Sequence, residues 1–273
     1  MPLSSILHPL DMPSVRQLKD LRLLRHKKYR QAQRRYLIEG PRLIVDALAS
    51  GAPVSQIFYT ADFTESEFWH EISSAVSAPG ITLVEITPSQ AGLLRTTRHT
   101  QGVFAVLPLP DPTGDPKRLL EAPILVLDDI SDPGNLGTLL RIADWFGMPT
   151  VWISAASADL FNPKVVRGAM GAHFHLKNIY KGDLEPLSRL LTANAIFCLG
   201  AAIHGEQLGS ITPLDDNWAL VLGNEARGLS KQWQKRLDKQ VAIPGMGSAE
   251  SLNVSVAAGI ILYQLRIMTK PIV

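Results

Sequence analysis

Residues 124–268 alternate short aliphatic runs with stretches of helical periodicity, and this alternation restricts the fold more than any other feature of the chain. The runs Ile124–Asp128, Val151–Ser154, Phe174–Ile179, Ala195–Leu199, Leu220–Gly223 and Gln240–Ile243 read as strands. Between and after them, Leu136–Phe146, Pro163–Met170, Leu184–Leu191 and Leu252–Met268 read as helices. The strands are apolar on both faces rather than alternately, which predicts a mostly parallel sheet covered by helices on both sides. In such a sheet, ligands bind beyond the carboxyl ends of the strands, so the loops that follow each strand are the place to look for chemistry.

Four prolines stand within the ten residues Leu107–Pro116, where neither a helix nor a central strand can continue. They predict a boundary, with one domain at 1–107, a linker at 108–123 and a second domain at 124–273. A chain of 273 residues can bury two cores. Before the boundary, a basic helix at about 14–31 leads to Tyr36-Leu-Ile-Glu-Gly-Pro-Arg42. There Gly40 turns the chain and Pro41 opens a helix that ends near Ala49. Strands at Gln56–Thr60, Ile81–Ile86 and Val103–Leu107 complete a small α/β domain.

Residues 1–35 hold nine Lys/Arg against two acids, a charge of +7, while the other 238 residues carry −5. A basic segment on a mildly acidic body points to a localised polyanion contact, with Arg22, Arg25, Lys27 and Lys28 as candidates. A solvated helix face accounts equally well for the charge, since Leu18, Leu21, Leu23 and Leu24 interleave with the cations. The lone cysteine, Cys198, lies in an apolar run and is expected to be a buried, inert thiol. The first residues lack the pattern of a signal peptide and no apolar run reaches spanning length, so a cytoplasmic location without membrane contact is expected. No G-x-G-x-x-G after a strand, P-loop, H-E-x-x-H or C-x-x-C is present, which removes the main support for dinucleotide, nucleoside triphosphate or zinc chemistry.

Four loops at expected strand ends carry candidate residues. The first, Asp128 to Asn135, leads into a helix bearing Arg141; Asn135 is a candidate N-cap, and Arg141 a candidate ion-pair partner of Asp144 or Glu225. The second, Leu199-Gly-Ala-Ala-Ile-His204, is small enough for a ligand to approach its backbone. The third, Leu220-Val-Leu-Gly-Asn-Glu225-Ala-Arg227-Gly-Leu, places a carboxylate and an arginine where a helix N-terminus is expected. The fourth runs from Ile243 through Ser251 and Asn253 into a helix uncharged between Glu250 and Arg266. A helix apolar all round belongs in a core or a subunit interface.

Taken in order, Asn135-Leu-Gly-Thr-Leu-Leu-Arg141, Leu220-Val-Leu-Gly-Asn-Glu225-Ala-Arg-Gly-Leu and Ile243-Pro-Gly followed by Ser251-Leu-Asn253-Val-Ser-Val-Ala resemble the three motifs of the SpoU (TrmH-like) RNA 2′-O-methyltransferases. Arg35-Tyr-Leu-Ile-Glu-Gly-Pro-Arg42 and Thr100-Gln-Gly-Val-Phe-Ala-Val resemble that family's N-terminal substrate-binding domain. The resemblance implies an α/β fold of the SPOUT type with a C-terminal trefoil knot and an L30e-like N-terminal domain. It also implies a homodimer through the C-terminal domain, S-adenosylmethionine as methyl donor, no metal, and an RNA substrate, with large-subunit ribosomal RNA favoured. By motif position, Arg141 is the catalytic arginine, and Asn135, Glu225, Ser251 and Asn253 surround the ribose. Gly200, Ala201, Gly223, Ile243 and Leu252 contact the donor, and Arg42 joins Arg22, Arg25, Lys27 and Lys28 as a candidate for RNA contact. Ala226 stands where many members have glycine, a difference of one methyl. The resemblance leaves open whether Arg141 takes the ribose proton or stabilises the alkoxide. A transfer RNA substrate, or a non-catalytic RNA-binding assembly factor, are the competing readings.

Overall fold

The computed structural model describes residues 13–75, 80–98, 100–110, 121–211, 215 and 217–269. Most of the expected linker, and the start of the N-terminal stretch, lie outside them. The chain divides into two compact units, Met1–Pro110 and Asp111–Val273.

Unit 1 contains α1 (Val15–Leu23), α2 (Lys27–Gln33), β1 (Arg35–Glu39), α3 (Pro41–Ala49), β2 (Gln56–Thr60), α4 (Trp69–Ser74), β3 (Thr82–Ile86), α5 (Pro88–Leu94) and β4 (Val103–Pro108). Its sheet has the order β1-β4-β2-β3, with β4 antiparallel to both neighbours and β2 parallel to β3. The single basic helix expected at 14–31 is two helices. Arg30 accounts for the break: it is buried, and its Nη1 donates to the Leu24 carbonyl at 2.6 Å, satisfying a group at the end of α1. Leu18, Leu21 and Leu24 bury against Phe58, Phe104 and Val106 of the sheet. Neither β1 nor α5 was expected. Yet β1 alternates, with Tyr36 and Ile38 inward, and α5 opens on a capping box of Thr87 and Gln90 with Pro88 in its first turn.

Unit 2 contains β5 (Ile124–Leu127), α6 (Pro133–Trp145), β6 (Thr150–Ser154), α7 (Pro163–Ala169), α8 (Ala172–His175), β7 (Asn178–Gly182), α9 (Leu184–Ala193), β8 (Phe197–Gln207), β9 (Trp218–Leu222), α10 (Lys231–Gln234), β10 (Lys239–Ala242) and α11 (Val254–Thr269). Six parallel strands form one sheet, ordered β10-β8-β9-β5-β6-β7. Every residue of β5, β6 and β9 is buried, as continuous apolarity requires. The strand expected at Phe174–Ile179 is displaced: Phe174 and His175 belong to α8, and β7 starts at Asn178. That register lets Tyr180 stack on Trp152 with ring centroids 5.5 Å apart.

β8 outruns the expected Ala195–Leu199. Gln240 pairs with Gly200 but the next residue, Val241, pairs with Glu206, so residues 201–205 leave the ladder as a protrusion. α6 crosses α7 at two glycines. A Cβ on Gly137 would lie 2.7 Å from the Val165 carbonyl oxygen and 3.0 Å from Gly168 Cα. Cys198 is buried, and its thiol is pushed up to about 11 by burial and then by Asp238, which suits an inert role.

Candidate active site

The site in unit 2 begins with a cap. Asp132, not Asn135, caps α6: its Oδ1 accepts the Asn135 N–H at 2.8 Å, and its Oδ2 pairs with Lys164 Nζ at 3.2 Å. These contacts, the Asn135 N–H foremost, hold the Asp132 carboxyl below its usual range. With the cap supplied, the Asn135 side chain is released for other work. Its Nδ2 donates to Glu225 Oε1 at 2.8 Å, and its Oδ1 accepts from Asn253 Nδ2 at 3.0 Å. Asn253 in turn caps α11, its Oδ1 accepting the Ser255 N–H at 2.9 Å, while Ser255 Oγ donates to the Asn135 carbonyl at 3.3 Å. One amide therefore ties together the loops after β5, β9 and β10. Along the groove between α6 and α11, Asn135, Thr138, Ile142, Asn253, Ser255 and Val256 line a cavity of about 420 Å³.

Glu225 caps no helix; it sits exposed in a turn, six residues before α10. Asn224 builds that turn. Its Nδ2 donates to the Asp129 carbonyl at 2.9 Å, its Oδ1 accepts the N–H groups of Ala226 and Arg227, and its backbone pairs with Gly228. Gly223 has no room for a Cβ, which would meet the Gly228 carbonyl at 2.4 Å. The Asp129 carboxylate pairs with Arg227. Behind Asp129, Ser154 Oγ accepts its N–H at 2.8 Å and Ser157 Oγ accepts that of Ile130 at 3.0 Å. Lys181 Nζ holds the Ser154, Ser157 and Ala158 carbonyls at 3.1, 2.6 and 3.0 Å. Asn224, Ser154, Ser157 and Lys181 were not singled out from the sequence. For Asn224 and Ser154 a signal was available, since each is a polar residue at or just past the end of an apolar strand.

Arg141 lies six residues beyond Asn135, about 9 Å along the axis of α6. It is exposed and makes no hydrogen bond or ion pair among the described residues. The two structural partners considered for it are engaged elsewhere: Asp144 with His175 at 3.0 Å, Glu225 with Asn135. Ser251 is also exposed, and no hydrogen bond joins its side chain to the Asn135 cluster among the described residues.

Gly200 and Ala201 lie within β8, where its pairing with β9 stops and its register with β10 shifts, while Gly223 and Ile243 directly follow β9 and β10. At Gly200 the close approach is made by protein: a Cβ would meet the Leu237 and Leu229 side chains at 2.2 and 2.8 Å. Its smallness therefore serves packing, as that of Gly223 serves the turn. Residues 244–252 form neither helix nor strand and are exposed throughout, with Leu252 at 49% and Met246 fully open. In unit 1, Arg22, Lys27, Lys28 and Arg42 are exposed. Arg25 is partly consumed, donating to the Arg22 and Leu93 carbonyls.

Comparison with known proteins bears on both units. The SpoU rRNA methylase family matches residues 122–263, and an MRM3-like substrate-binding domain matches residues 16–105. The chain is 31% identical over 249 residues to the Bacillus subtilis 23S rRNA (guanosine(2553)-2′-O)-methyltransferase RlmP, covering 91% of this chain and 95% of that one. Among solved structures, the SpoU methyltransferase AviRb from Streptomyces viridochromogenes, in complex with AdoMet, is similar at a TM-score of 0.81 and 26% identity, over 93% of this chain and 98% of that one. The AdoMet-bound rRNA methyltransferase from Sinorhizobium meliloti is similar at a TM-score of 0.82 and 25% identity, over 94% and 97%. With the three motif loops joined through Asn135 and the family matching more than half of its length, the chain belongs to the SpoU rRNA methylase family.

Proposed function

We propose that this protein methylates a ribose 2′-hydroxyl in large-subunit ribosomal RNA, with S-adenosylmethionine as donor. The observation that carries the reading is the Glu225–Asn135–Asn253 cluster beyond the strand ends of a parallel sheet. The ribosomal substrate rests on the relative RlmP, a 23S rRNA 2′-O-methyltransferase, and on the substrate-binding match over unit 1. Unit 1 is accordingly the RNA-binding domain and unit 2 the methyltransferase domain.

The strand ends fit such a donor. The protrusion 201–205 leaves Ile203 65% exposed, and the loop 244–252 leaves Leu252 and an unpaired stretch of backbone open beside it in the sheet order. Apolar side chains and free backbone groups are what an adenine and a methionine chain require. Ala201, Gly223, Ile243 and Leu252, with the backbone of Gly200, would hold it. When bound, S-adenosylmethionine supplies a methyl on a positively charged sulfur that an oxygen can take by in-line displacement. The protein's part is to align the ribose and ease loss of its proton. Asn135, Glu225, Ser251 and Asn253 set the position of the ribose. Arg141, with no internal partner among the described residues, is available to the 2′-oxygen and its phosphate. A guanidinium resists deprotonation, so Arg141 orients the hydroxyl and stabilises the forming alkoxide while the proton passes to the RNA phosphate.

Ribose methylation mapped across total RNA from cells with and without the protein tests this reading. One 2′-O-methyl site in large-subunit RNA is expected to disappear. Loss of a transfer RNA site instead, or of none, would overturn it. Calorimetric titration of the purified protein with S-adenosylmethionine in excess chelator is expected to show binding, and a strict requirement for a divalent ion would count against the donor site described.

The same reading extends to assembly, fold and location. Val256, Ile260 and Tyr263, at i, i+4 and i+7 of α11, are 52, 40 and 57% exposed, and Trp145 at the end of α6 is 85% exposed. An apolar stripe of this kind needs a cover, and a second copy supplies it in a homodimer. Sedimentation of the full chain should give twice 29.9 kDa; a monomer at micromolar concentration would refute the assignment. The return of α11 to the start of the unit supports a trefoil knot, and the mixed four-stranded sheet of unit 1 an L30e-like domain. Among the described residues no helix is long and apolar enough to cross a membrane, and we place the protein in the cytoplasm.

A further inference from the structure

Unit 1 gathers the carboxyl ends of β1, β2 and β3 and the start of β4 at one end of its sheet. At the β1 edge of that end, Glu39 accepts three hydrogen bonds: from the Thr96 N–H at 2.8 Å, Thr96 Oγ1 at 2.7 Å and Thr97 Oγ1 at 2.9 Å. Next to it Gly40, at φ 108°, donates its N–H to the Val103 carbonyl at 3.1 Å and lies so close to Gln101 that a Cβ would meet Oε1 at 2.9 Å. The turn from β1 into α3 and the segment from α5 to β4 are thereby clamped together, although more than fifty residues separate them.

The clamp displays cations. Arg42 follows Gly40 and Pro41, and Arg95 and Arg98 flank the two threonines; all three are exposed, and none meets a carboxylate among the described residues. Arg95 Nη1 donates to the Arg98 carbonyl at 3.0 Å, which braces the segment and leaves the rest of that guanidinium open to solvent. Glu39 lies among them, but its oxygens are already taken by three donors. The exposed acids at this end, Asp62, Glu65 and Glu67 after β2 and Glu85 on β3, belong to the strands that β4 separates from β1. The basic N-terminal segment differs in part: Arg30 of α2 is buried on Leu24, Arg25 between the helices is spent on two carbonyls, and Arg35 at the start of β1 donates to Gln33. Three of the nine N-terminal cations are therefore spent within the fold. Guanidinium forks without carboxylate partners, carried on a clamped backbone, are suited to bind phosphate oxygens, because no internal ion pair has to break first.

We infer that Arg42, Arg95 and Arg98, held by the Glu39–Thr96–Thr97 clamp, form the phosphate-binding face of unit 1, and that α1 and α2 chiefly support the domain. This rests on the reading of an RNA substrate. The test compares two variants of the full chain, R42Q/R95Q/R98Q and R22Q/K27Q/K28Q, for binding to deproteinised large-subunit ribosomal RNA at several salt concentrations. Each phosphate that the protein no longer neutralises lowers the slope of log affinity against log salt by roughly 0.7 to 0.9. The first variant is expected to lose about two units of slope and the second less than one, both keeping wild-type affinity for S-adenosylmethionine. An unchanged slope in the first variant, a larger fall in the second, or a wild-type protein that does not bind RNA would overturn the inference. A wild-type protein that shows the expected slopes but transfers no methyl would instead refute the proposed reaction and leave this surface standing.

Discussion

Replacing Arg141 by alanine is expected to reduce methyl transfer by about a thousandfold, roughly 4 kcal/mol of transition-state stabilisation, while changing donor affinity by no more than a few-fold. The expectation follows from what Arg141 does not do. It is exposed and without an internal partner among the described residues, so its removal breaks no bond within the fold, and alanine is the better helix former on an exposed face. Thermal stability should therefore stay close to that of the wild type. The donor candidates belong to β8 and to the segments that follow β9 and β10, and none of them lies on α6. Arg141→Lys keeps the charge but not the planar fork and should recover only part of the rate. Single-turnover transfer of a labelled methyl group, measured beside a melting curve, separates the outcomes. Retained activity would remove Arg141 from the chemistry, and a loss of activity that merely tracked a loss of folding would make it structural after all.

Gly137→Val should cripple unit 2 itself. A Cβ at this position would stand 2.7, 3.0 and 3.1 Å from Val165 O, Gly168 Cα and Ala169 N, all backbone atoms of the α7 region with no rotamer to escape into. α6 and α7 would have to separate, and overpacking of this kind costs on the order of 3 kcal/mol or more. Because α6 also carries Asn135 and Arg141, activity should fall with stability. Gly92→Ala is the matched control: Gly92 lies within α5, nothing stands within 4 Å of its Cβ position, and the change should be neutral or stabilising by up to about 1 kcal/mol. Urea unfolding of the two variants checks the pair. A Gly137→Val protein as stable as the wild type would mean that the helix crossing is far more yielding than its distances indicate.

These cases show what the sequence disclosed and what it withheld. The strands of unit 2 were legible because burial on both faces leaves an unbroken aliphatic run, as in Ile124–Leu127 and Trp218–Leu222. β1 was not, since its inward Tyr36 and Ile38 are only two residues bracketed by Arg35 and Glu39. β7 was misplaced because Phe174 has the look of a strand residue, whereas Gly171, at φ 92°, starts a short helix there. At the site, residue types at motif spacing pointed to Asn135, Glu225 and Asn253, but their mutual hydrogen bonds are tertiary and no local pattern encodes them. The same limit hid Lys181 and Ser157, whose roles exist only once β6 and β7 are neighbours. Charge counting failed differently. A formal charge says nothing about which donors the fold has already used, and Arg25 and Arg30 are counted equally with Lys27 although, of the three, the fold leaves Lys27 to face solvent.

The bond from Asn253 to Asn135 spans 118 residues. During synthesis Asn135 emerges first, and at about 5 to 20 residues per second roughly ten seconds pass before its partner exists. Until then one side of the amide has no protein to hold it, and nothing fixes the direction in which Glu225 is engaged. The enzyme's competence is thus a property of the finished polypeptide: a nascent chain arrested anywhere before α11 can own every residue of the first two motifs and still have no organised site.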